Sequence, residues 1–381
     1  MTESAVAARE RLKSLAAVQA SRGMFVTAVL STSRLDDWRQ LGPTFLNSEF
    51  GRITKERDVS KEERHILQED FDFVLDTLNY DVTADTQGLV VFADGGAGVR
   101  EKMELPMRLM NRLVIEPSPY VRPVVHALSL LEPFVVARVS RDESSLFLVN
   151  EWRLTKEDDL AGPWLRTSDK ETGEVSVKEY YAAARQDQLV EAHFKEVGAA
   201  LTKLLEASGV RRVVLSALHD IANAFRRSLP ATLAARIVAE IPFDADATTA
   251  QMLVVARGAV GTARNSEIEE LSHWVQEALG NGGRGVAGFD DVLEAVRRHQ
   301  VQTLLVDRNY RVPGWRCLSC DSVGLSRVTR CGVCDEGAVP IEDAVGEIVR
   351  LAVLQGSQVE VGENIPTLDA LGNVAGVLRY P

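Results

Sequence analysis

Four cysteines, confined to one short segment, constrain the fold of this chain more than any other feature. Cys317 and Cys320 form one Cys-x-x-Cys pair, ten residues follow, and Cys331 and Cys334 form a second pair, which leaves no thiol over. Two such pairs build a tetrahedral four-sulfur cage of the kind that structural zinc occupies. A rubredoxin-like iron site or a pair of disulfides are the alternatives that the spacing leaves open. A cage with four protein ligands has no open position, so the sequence predicts one structural Zn²⁺ and no catalytic metal.

Length and composition describe a globular protein of several domains. The chain has 381 residues, of which 45% are hydrophobic and 26% are charged, and this size is typical of two or three domains. No apolar run approaches the roughly 20 residues of a membrane helix. The acidic first residues lack the basic start and apolar core of a signal peptide. We therefore expect a cytoplasmic, monomeric protein with no membrane partner.

The charge limits how the chain can bind nucleic acid. Its formal net charge is −12, so its overall field repels phosphate. A local basic face is one interpretation of the segment around the cysteines, which contains five arginines: Arg308, Arg311, Arg316, Arg327 and Arg330. The alternative is that these arginines are solvated side chains of a small ribbon. Four thiolates around Zn²⁺ carry a net charge of about −2, which offsets much of the local positive charge.

Helical and extended apolar patterns alternate along the chain, which predicts α/β sheets covered on both faces. We divide the chain into three α/β domains, over residues 1–123, 124–255 and 256–381. In the last of these, Ser266 and Glu269 predict a capping box that begins a helix. Residues 312–340, which contain the cysteines, fall between a predicted strand and a predicted helix. They therefore predict a zinc ribbon inserted in the C-terminal α/β domain.

Known catalytic patterns are missing from the sequence. The six histidines are scattered, with none at metal-ligand spacing to another: His65, His126, His193, His219, His273 and His299. No nucleophile elbow, Walker loop or His-Glu-x-x-His motif occurs. Glycine-rich residues 94–98 precede another extended segment, which favours a hairpin over a phosphate-binding loop. Asp220 follows a predicted strand, where α/β sheets place ligands, but a helix-capping role is favoured for it.

Several segments resemble one superfamily. The C-terminal part of the chain resembles the C-terminal domain of the archaeal and eukaryotic class-one peptide-release factors and Pelota. The resemblance lies in residues 288–307, in the two Cys-x-x-Cys pairs and in the ending 371–380 (Leu-Gly-Asn-Val-Ala-Gly-Val-Leu-Arg-Tyr). Residues 119–125 (Pro-Tyr-Val-Arg-Pro-Val-Val) and 137–147 are similar to bacterial members, one of which is a ribosome-hibernation factor. The resemblance implies a three-domain, release-factor-like architecture. It also implies the ribosomal A site, with its rRNA, as partner, and leaves a translational GTPase open as a second partner.

The chain departs from this family at the residues that perform catalysis. Release factors carry a Gly-Gly-Gln tip on a central-domain loop, and the glutamine positions water at the peptidyl-tRNA ester. The corresponding residues here, 160–176, contain neither Gly-Gly nor Gln. The Gly-x-x-Gln variant of tRNA-cleaving relatives and the Asn-Ile-Lys-Ser stop-codon motif are missing as well. Codon-directed peptide release is therefore not expected.

The altered loop implies a protein that fills the A site without hydrolysing peptidyl-tRNA, as a hibernation or stress factor would, and not an enzyme. Trp164, Arg166 and Lys170 offer side chains that stack on bases and neutralise phosphate. With Gly173 and Arg185 they are the residues that we expect to contact ribosomal RNA.

Two other functions stay open. One is a ribosome-rescue factor that acts on peptidyl-tRNA, for which only Glu171 and Glu174 of the altered loop are available. The other is an adaptor that binds a protein partner, which the net charge of −12 favours.

Overall fold

The computed structural model describes residues 5–20, 24–33, 35–57, 59–83, 86–150, 153–161, 177–244, 246–326 and 328–380. Contacts divide this α/β chain into two compact units, one formed by Met1–Leu130 with Ile268–Pro381 and the other by Leu131–Glu267. The first and third predicted segments thus contribute to the same unit. Three independently folding domains stay a prediction, because contacts alone do not measure independent folding.

The N-terminal part of the first unit forms one antiparallel sheet with two helices on one face. Its elements are α1 (Ala5–Ala16), β1 (Phe25–Ser31), α2 (Trp38–Glu56), α3 (Lys61–Tyr80), β2 (Gly88–Asp94), β3 (Val99–Leu105), β4 (Arg112–Glu116) and α4 (Arg122–Leu130). The strand order is β3-β2-β1-β4. Phe50 of α2 stacks on Phe71 of α3 with ring centroids 4.2 Å apart, inside the core that both helices form with the sheet. The predicted hairpin at 94–98 is confirmed, since a tight turn over Gly95–Ala97 joins antiparallel β2 and β3.

The second unit is a five-stranded mixed sheet with helices on both faces. Its elements are β5 (Phe134–Val139), β6 (Glu143–Asn150), β7 (Arg153–Ala161), α5 (Val177–Ser208), β8 (Arg212–Ser216), α6 (His219–Ser228), α7 (Ala231–Ala234), β9 (Ile237–Ile241) and the first part of α8 (Thr249–Gly280). The strand order is β7-β6-β5-β8-β9, in which β5, β8 and β9 are parallel. Phe194 of α5 and Phe225 of α6 pack in the core on one face, and Met252 and Ala256 of α8 pack on the other.

The expected helix start at Ser266 is wrong. Helix α8 runs without interruption from Thr249 to Gly280. The Ser266 hydroxyl donates to the carbonyl of Thr262, 3.2 Å away and one turn earlier. The Glu269 carboxylate accepts from the hydroxyl of Thr367 at 2.7 Å. A Ser-x-x-Glu pattern can therefore be satisfied in mid-helix, where the serine bonds back to the preceding turn.

The C-terminal part of the first unit contains a second sheet and a small ribbon. Its elements are β10 (Gly285–Ala287), α9 (Phe289–Arg297), β11 (Val301–Asp307), β12 (Gly314–Cys317), β13 (Val323–Gly324), β14 (Ala338–Ile341), α10 (Ala344–Leu354), β15 (Gln358–Gly362), α11 (Pro366–Ala370) and β16 (Val374–Leu378). The larger sheet has the order β10-β16-β11-β15, and the ribbon has the order β13-β12-β14. None of the helices within the described ranges combines the length and apolar character needed to cross a membrane.

A buried ion pair joins the two chain segments of the first unit. Arg122 of α4 donates from Nη1 to Asp343, directly before α10, at 2.8 Å, and both side chains are at most 4% exposed. Tyr120 donates its hydroxyl to the same carboxylate oxygen at 2.8 Å. A second nitrogen of Arg122 donates to the backbone carbonyl of Asp307 at 2.7 Å. Oδ1 of Asp343 has no hydrogen-bond partner among the described residues, so the two buried charges are compensated mainly by each other, and breaking such a pair typically costs about 3–5 kcal/mol.

Glu116, the last residue of β4, is a buried carboxyl group in the same region. Its Oε1 accepts from the backbone N–H of Glu342 at 2.7 Å. Burial raises the pKa of Glu116 from its ordinary value of 4.5 to about 8, and the nearby negative charge of Glu347 adds to the shift. The folded protein therefore holds Glu116 protonated at neutral pH, whereas the unfolded chain ionises it.

The raised pKa predicts a pH-dependent loss of stability that Glu116→Gln removes. The contribution of Glu116 to the free energy of unfolding is fully present below about pH 4.5 and is lost as the pH rises through about 8. Between pH 6 and 8 the loss amounts to about 2 kcal/mol. Glutamine keeps the acceptor for Glu342 and cannot ionise. Chemical denaturation at several pH values should show the variant gaining stability relative to the wild type as the pH rises. Parallel curves for both proteins would show that Glu116 is ionised in the fold.

Candidate functional site

The four cysteines meet at one point of the ribbon. Cys317 is the last residue of β12, and the other three follow in the two turns beside the small sheet. All four Sγ atoms lie within 4.8 Å of one another, a group that could hold a metal ion such as zinc. The Sγ atoms of Cys317 and Cys334 are 3.4 Å apart, and those of Cys320 and Cys331 are 3.6 Å apart.

Backbone amides of the two turns point at the sulfurs. The N–H of Ser319 lies 3.3 Å from the Sγ of Cys317, and the N–H of Val333 lies 3.4 Å from the Sγ of Cys331. The hydrogen bond from Val333 lowers the pKa of the Cys331 thiol to about 6. Because the thiolate is the form that binds metal, the amide of Val333 prepares the sulfur of Cys331 as a ligand. The donor set thus fits a tetrahedral zinc ion with four protein ligands.

The four described arginines around the ribbon do not form a free basic face. Arg308 pairs with Glu363 at 2.9 Å, Arg330 pairs with Asp335 at 2.7 Å, and buried Arg316 pairs with Asp321. Arg311 lies 4.0 Å from the carboxylate of Asp343. Arg327 lies outside the described residues. Each of the four described arginines therefore has a carboxylate neighbour, which favours the interpretation of ordinary ribbon side chains over a phosphate-binding face.

Most of the residues expected to contact RNA fall outside the described part of the chain. These are Trp164, Arg166, Lys170 and Gly173, which come after β7 ends at Ala161 and before α5 begins at Val177. Arg185 lies on α5, with its side chain outside the described residues. The role of all five stays a prediction.

The end of β7 that leads to these residues is acidic. Glu157, Asp158 and Asp159 follow one another, and Asp159 accepts from Ser145 at 2.6 Å and pairs with Lys156 at 2.5 Å. The hydrogen bond from Lys156 lowers the pKa of Asp159, so that this carboxyl group stays charged. An RNA strand would be repelled by these three carboxylates.

A cleft between α5 and α6 was missed by the sequence analysis. It has a volume of about 400 Å³ and is lined by residues that include Arg141, Phe194, Asp220, Ile221 and Arg227. The expectation that Asp220 caps α6 is wrong: Leu218 stands at the N-cap position, and Asp220 faces Arg141 at 3.3 Å. The charged residue Arg141 in the hairpin between β5 and β6 was the sequence feature that could have indicated this cleft. Its approach to α6 depends on the parallel pairing of β5 with β8, which the sequence does not reveal.

A serine–histidine pair in the second unit does not form a catalytic site. The Ser144 hydroxyl lies 2.9 Å from Nε2 of His193, and both residues are at most 2% exposed. Burial lowers the pKa of His193, which keeps the ring neutral. A substrate has no access to groups this deep in a core, so the pair is a structural hydrogen bond.

The middle of the chain matches the model of a known protein family. The family model "Bacterial archaeo-eukaryotic release factor family 10" matches residues 119–259, which is less than half of the chain. This segment starts at the Pro-Tyr-Val-Arg-Pro motif and includes most of the second unit. No curated protein matches the sequence.

Three solved structures illustrate what this chain is similar to. An archaeal translation termination factor, aRF1, is 17% identical, with 100% of this chain and 99% of that chain covered and a TM-score of 0.27. Archaeoglobus fulgidus Pelota is 16% identical, with 77% and 79% covered and a TM-score of 0.36. S. cerevisiae Dom34, described as termination-like, is 12% identical, with 77% and 80% covered and a TM-score of 0.39. At these scores and identities the similarities establish neither the fold nor the function of this chain.

Proposed function

We propose that this chain is a ribosome-associated, release-factor-like protein that occupies the A site without hydrolysing peptidyl-tRNA, as a hibernation or stress factor of the Balon kind does. One observation carries the proposal: the release-factor family model covers residues 119–259, and within them the segment between β7 and α5 lacks the Gly-Gly-Gln tip. A release-factor-like protein without that tip can still bind the A site. It lacks the glutamine that positions water at the peptidyl-tRNA ester.

The electrostatics require that such binding be local. The net charge of −12 gives no general attraction to RNA, and the described ribbon arginines are engaged with carboxylates. Trp164, Arg166 and Lys170 are then the residues best suited to contact rRNA, through stacking and phosphate neutralisation. Each phosphate contact releases counterions, so binding weakens as salt rises.

The proposal includes one structural zinc ion. Cys317, Cys320, Cys331 and Cys334 would hold it, and it would fix the two turns of the ribbon without taking part in chemistry. A ribbon of three short strands has little core of its own, so its order depends on the metal.

An adaptor that binds protein is the second candidate, and the charge distribution favours it. Acidic residues outnumber basic ones, 55 against 43, and the ribbon arginines are paired. Co-sedimentation with ribosomes separates the two candidates, because an adaptor would stay in the supernatant.

The zinc site predicts one metal ion per chain. Elemental analysis of protein purified without chelator should find stoichiometric zinc, and Cys317→Ser should lose it and loosen residues 312–340. Ser319→Ala, within the same turn, removes no ligand and should keep the metal. Iron in place of zinc, or no metal, would contradict the assignment.

The altered loop predicts that the protein does not release peptide. Ribosomes stalled with peptidyl-tRNA should lose peptide only at the spontaneous rate when the purified protein is added. Faster release that Glu171→Gln or Glu174→Gln abolishes would instead support a rescue enzyme.

Local RNA contact predicts a loss of ribosome binding on loop substitution. The triple change Trp164→Ala, Arg166→Ala and Lys170→Ala should weaken co-sedimentation across a salt series, because it removes two cations and one base-stacking ring. Zinc content and thermal unfolding, measured in parallel, should stay at their wild-type values. The control Lys203→Ala with Arg236→Ala removes two exposed cations elsewhere in the second unit. Equal losses in both variants would show that net charge, and not this segment, governs binding.

A further inference from the structure

Two residues that flank the first cysteine turn form an ion pair at its base. Arg316 precedes Cys317 and Asp321 follows Cys320, and the two side chains are hydrogen-bonded to each other. The Arg316 side chain is only 2% exposed although it belongs to a small surface ribbon. The turn between the two residues therefore determines whether this buried pair can form.

Helix α10 extends the pair into a group of four charges. Glu347 lies 3.5 Å from Nε of Arg316 and accepts from Nε of Arg350 at 2.8 Å. Arg350 also lies 3.9 Å from the carboxylate of Asp321. Two cations and two anions balance one another here, and the Glu347 and Arg350 side chains are at most 4% exposed.

The same group holds the end of the N-terminal helix. Arg350 donates from Nη1 to the carbonyl of Ala16, the last residue of α1, at 2.9 Å. Gln19 donates from its side-chain amide to Asp321 at 3.1 Å. The last carbonyls of a helix have no partner within the helix, so an arginine at this position is a capping group. Gln19, three residues after α1, thus contacts the ribbon directly, and the last residue of α1 is linked to it through Arg350.

We propose that the ribbon is a metal-dependent latch for α1. The inference rests on the proposed zinc site. With zinc bound, the first turn has a fixed shape and keeps Asp321 and Arg316 in the buried group. Without zinc, the turn loses its constraint, Asp321 leaves Gln19 and Arg350, and water reaches the group that caps α1. Loss of the metal then loosens the packing of α1 against α10 and α4.

A second anchor restricts the opening to the end of α1. Arg11 donates to Glu101 at 2.5 Å and to the backbone carbonyl of Lys102 at 2.8 Å, and these partners belong to β3. This contact does not involve the ribbon and persists when zinc leaves. The latch therefore acts on residues 16–20, and buried Leu12 and Leu15 loosen only as a consequence.

Hydrogen exchange of the full chain tests the latch, with zinc content measured in parallel. Removal of zinc by a chelator should speed amide exchange at residues 17–20, by about tenfold at Ala17 and Val18. The N–H groups of these two residues bond to carbonyls in the last turn of α1, which loses the charged hydrogen bond from Arg350 to Ala16. Exchange in α3 should not change. Unchanged protection at 17–20 after measured zinc release would overturn the latch and leave the zinc site intact. Protein that never contained zinc would overturn both.

A matched pair of variants separates the latch from general loosening of the ribbon. Asp321→Asn removes the carboxylate and no metal ligand, so zinc should stay bound while residues 17–20 exchange faster. Asp335→Asn is the control: Asp335 follows Cys334 as Asp321 follows Cys320, and both have left-handed backbone angles, φ 61° and φ 57°. Asp335 is 80% exposed and pairs with Arg330. Equal exchange at 17–20 in both variants would contradict the latch.

Discussion

The contact between Arg122 and Asp343 is the interaction on which the first unit depends. It joins positions 221 residues apart in the sequence, and both side chains are buried. An unpaired guanidinium or carboxylate at this depth would be strongly unfavourable, so neither chain segment can reach its folded arrangement alone without leaving a charge exposed or uncompensated. The ion pair thus makes the folding of residues around 122 conditional on that of residues around 343.

Close packing of Tyr120 against α10 also joins the two chain segments of the first unit. Gly346, on the first turn of α10, lies so close to the Tyr120 ring that an added Cβ would come within 2.8 Å of it. Glycine is required here by the approach of the ring, which also brings the Tyr120 hydroxyl to Asp343. Burial makes ionisation of that hydroxyl unfavourable and raises the pKa of Tyr120 to about 12. Tyr120 therefore remains a hydrogen-bond donor to Asp343 at neutral pH.

The sequence predicted what depends on local spacing and missed what depends on distant partners. Two Cys-x-x-Cys pairs indicated that four sulfurs meet, and the structure brings them together. The Ser266 pattern failed because a serine in mid-helix can bond to the carbonyl four residues earlier, which no local signal excludes. The Pro-Tyr-Val-Arg-Pro motif was recognised only as a resemblance. Its tyrosine and arginine act on Asp343, and sequence separation conceals this partner.

The distribution of ion pairs also decides where a polyanionic partner could gain affinity. An arginine beside a carboxylate forms a pair with no net charge, so its attraction for a phosphate is reduced even where the exposed ion pair itself is weak. Arg316 is buried and Arg308 and Arg330 have carboxylate partners, which favours structural roles for these three arginines. The acidic end of β7 repels phosphate as well. These two regions therefore offer little to RNA, and contact between RNA and residues 160–176 stays a prediction.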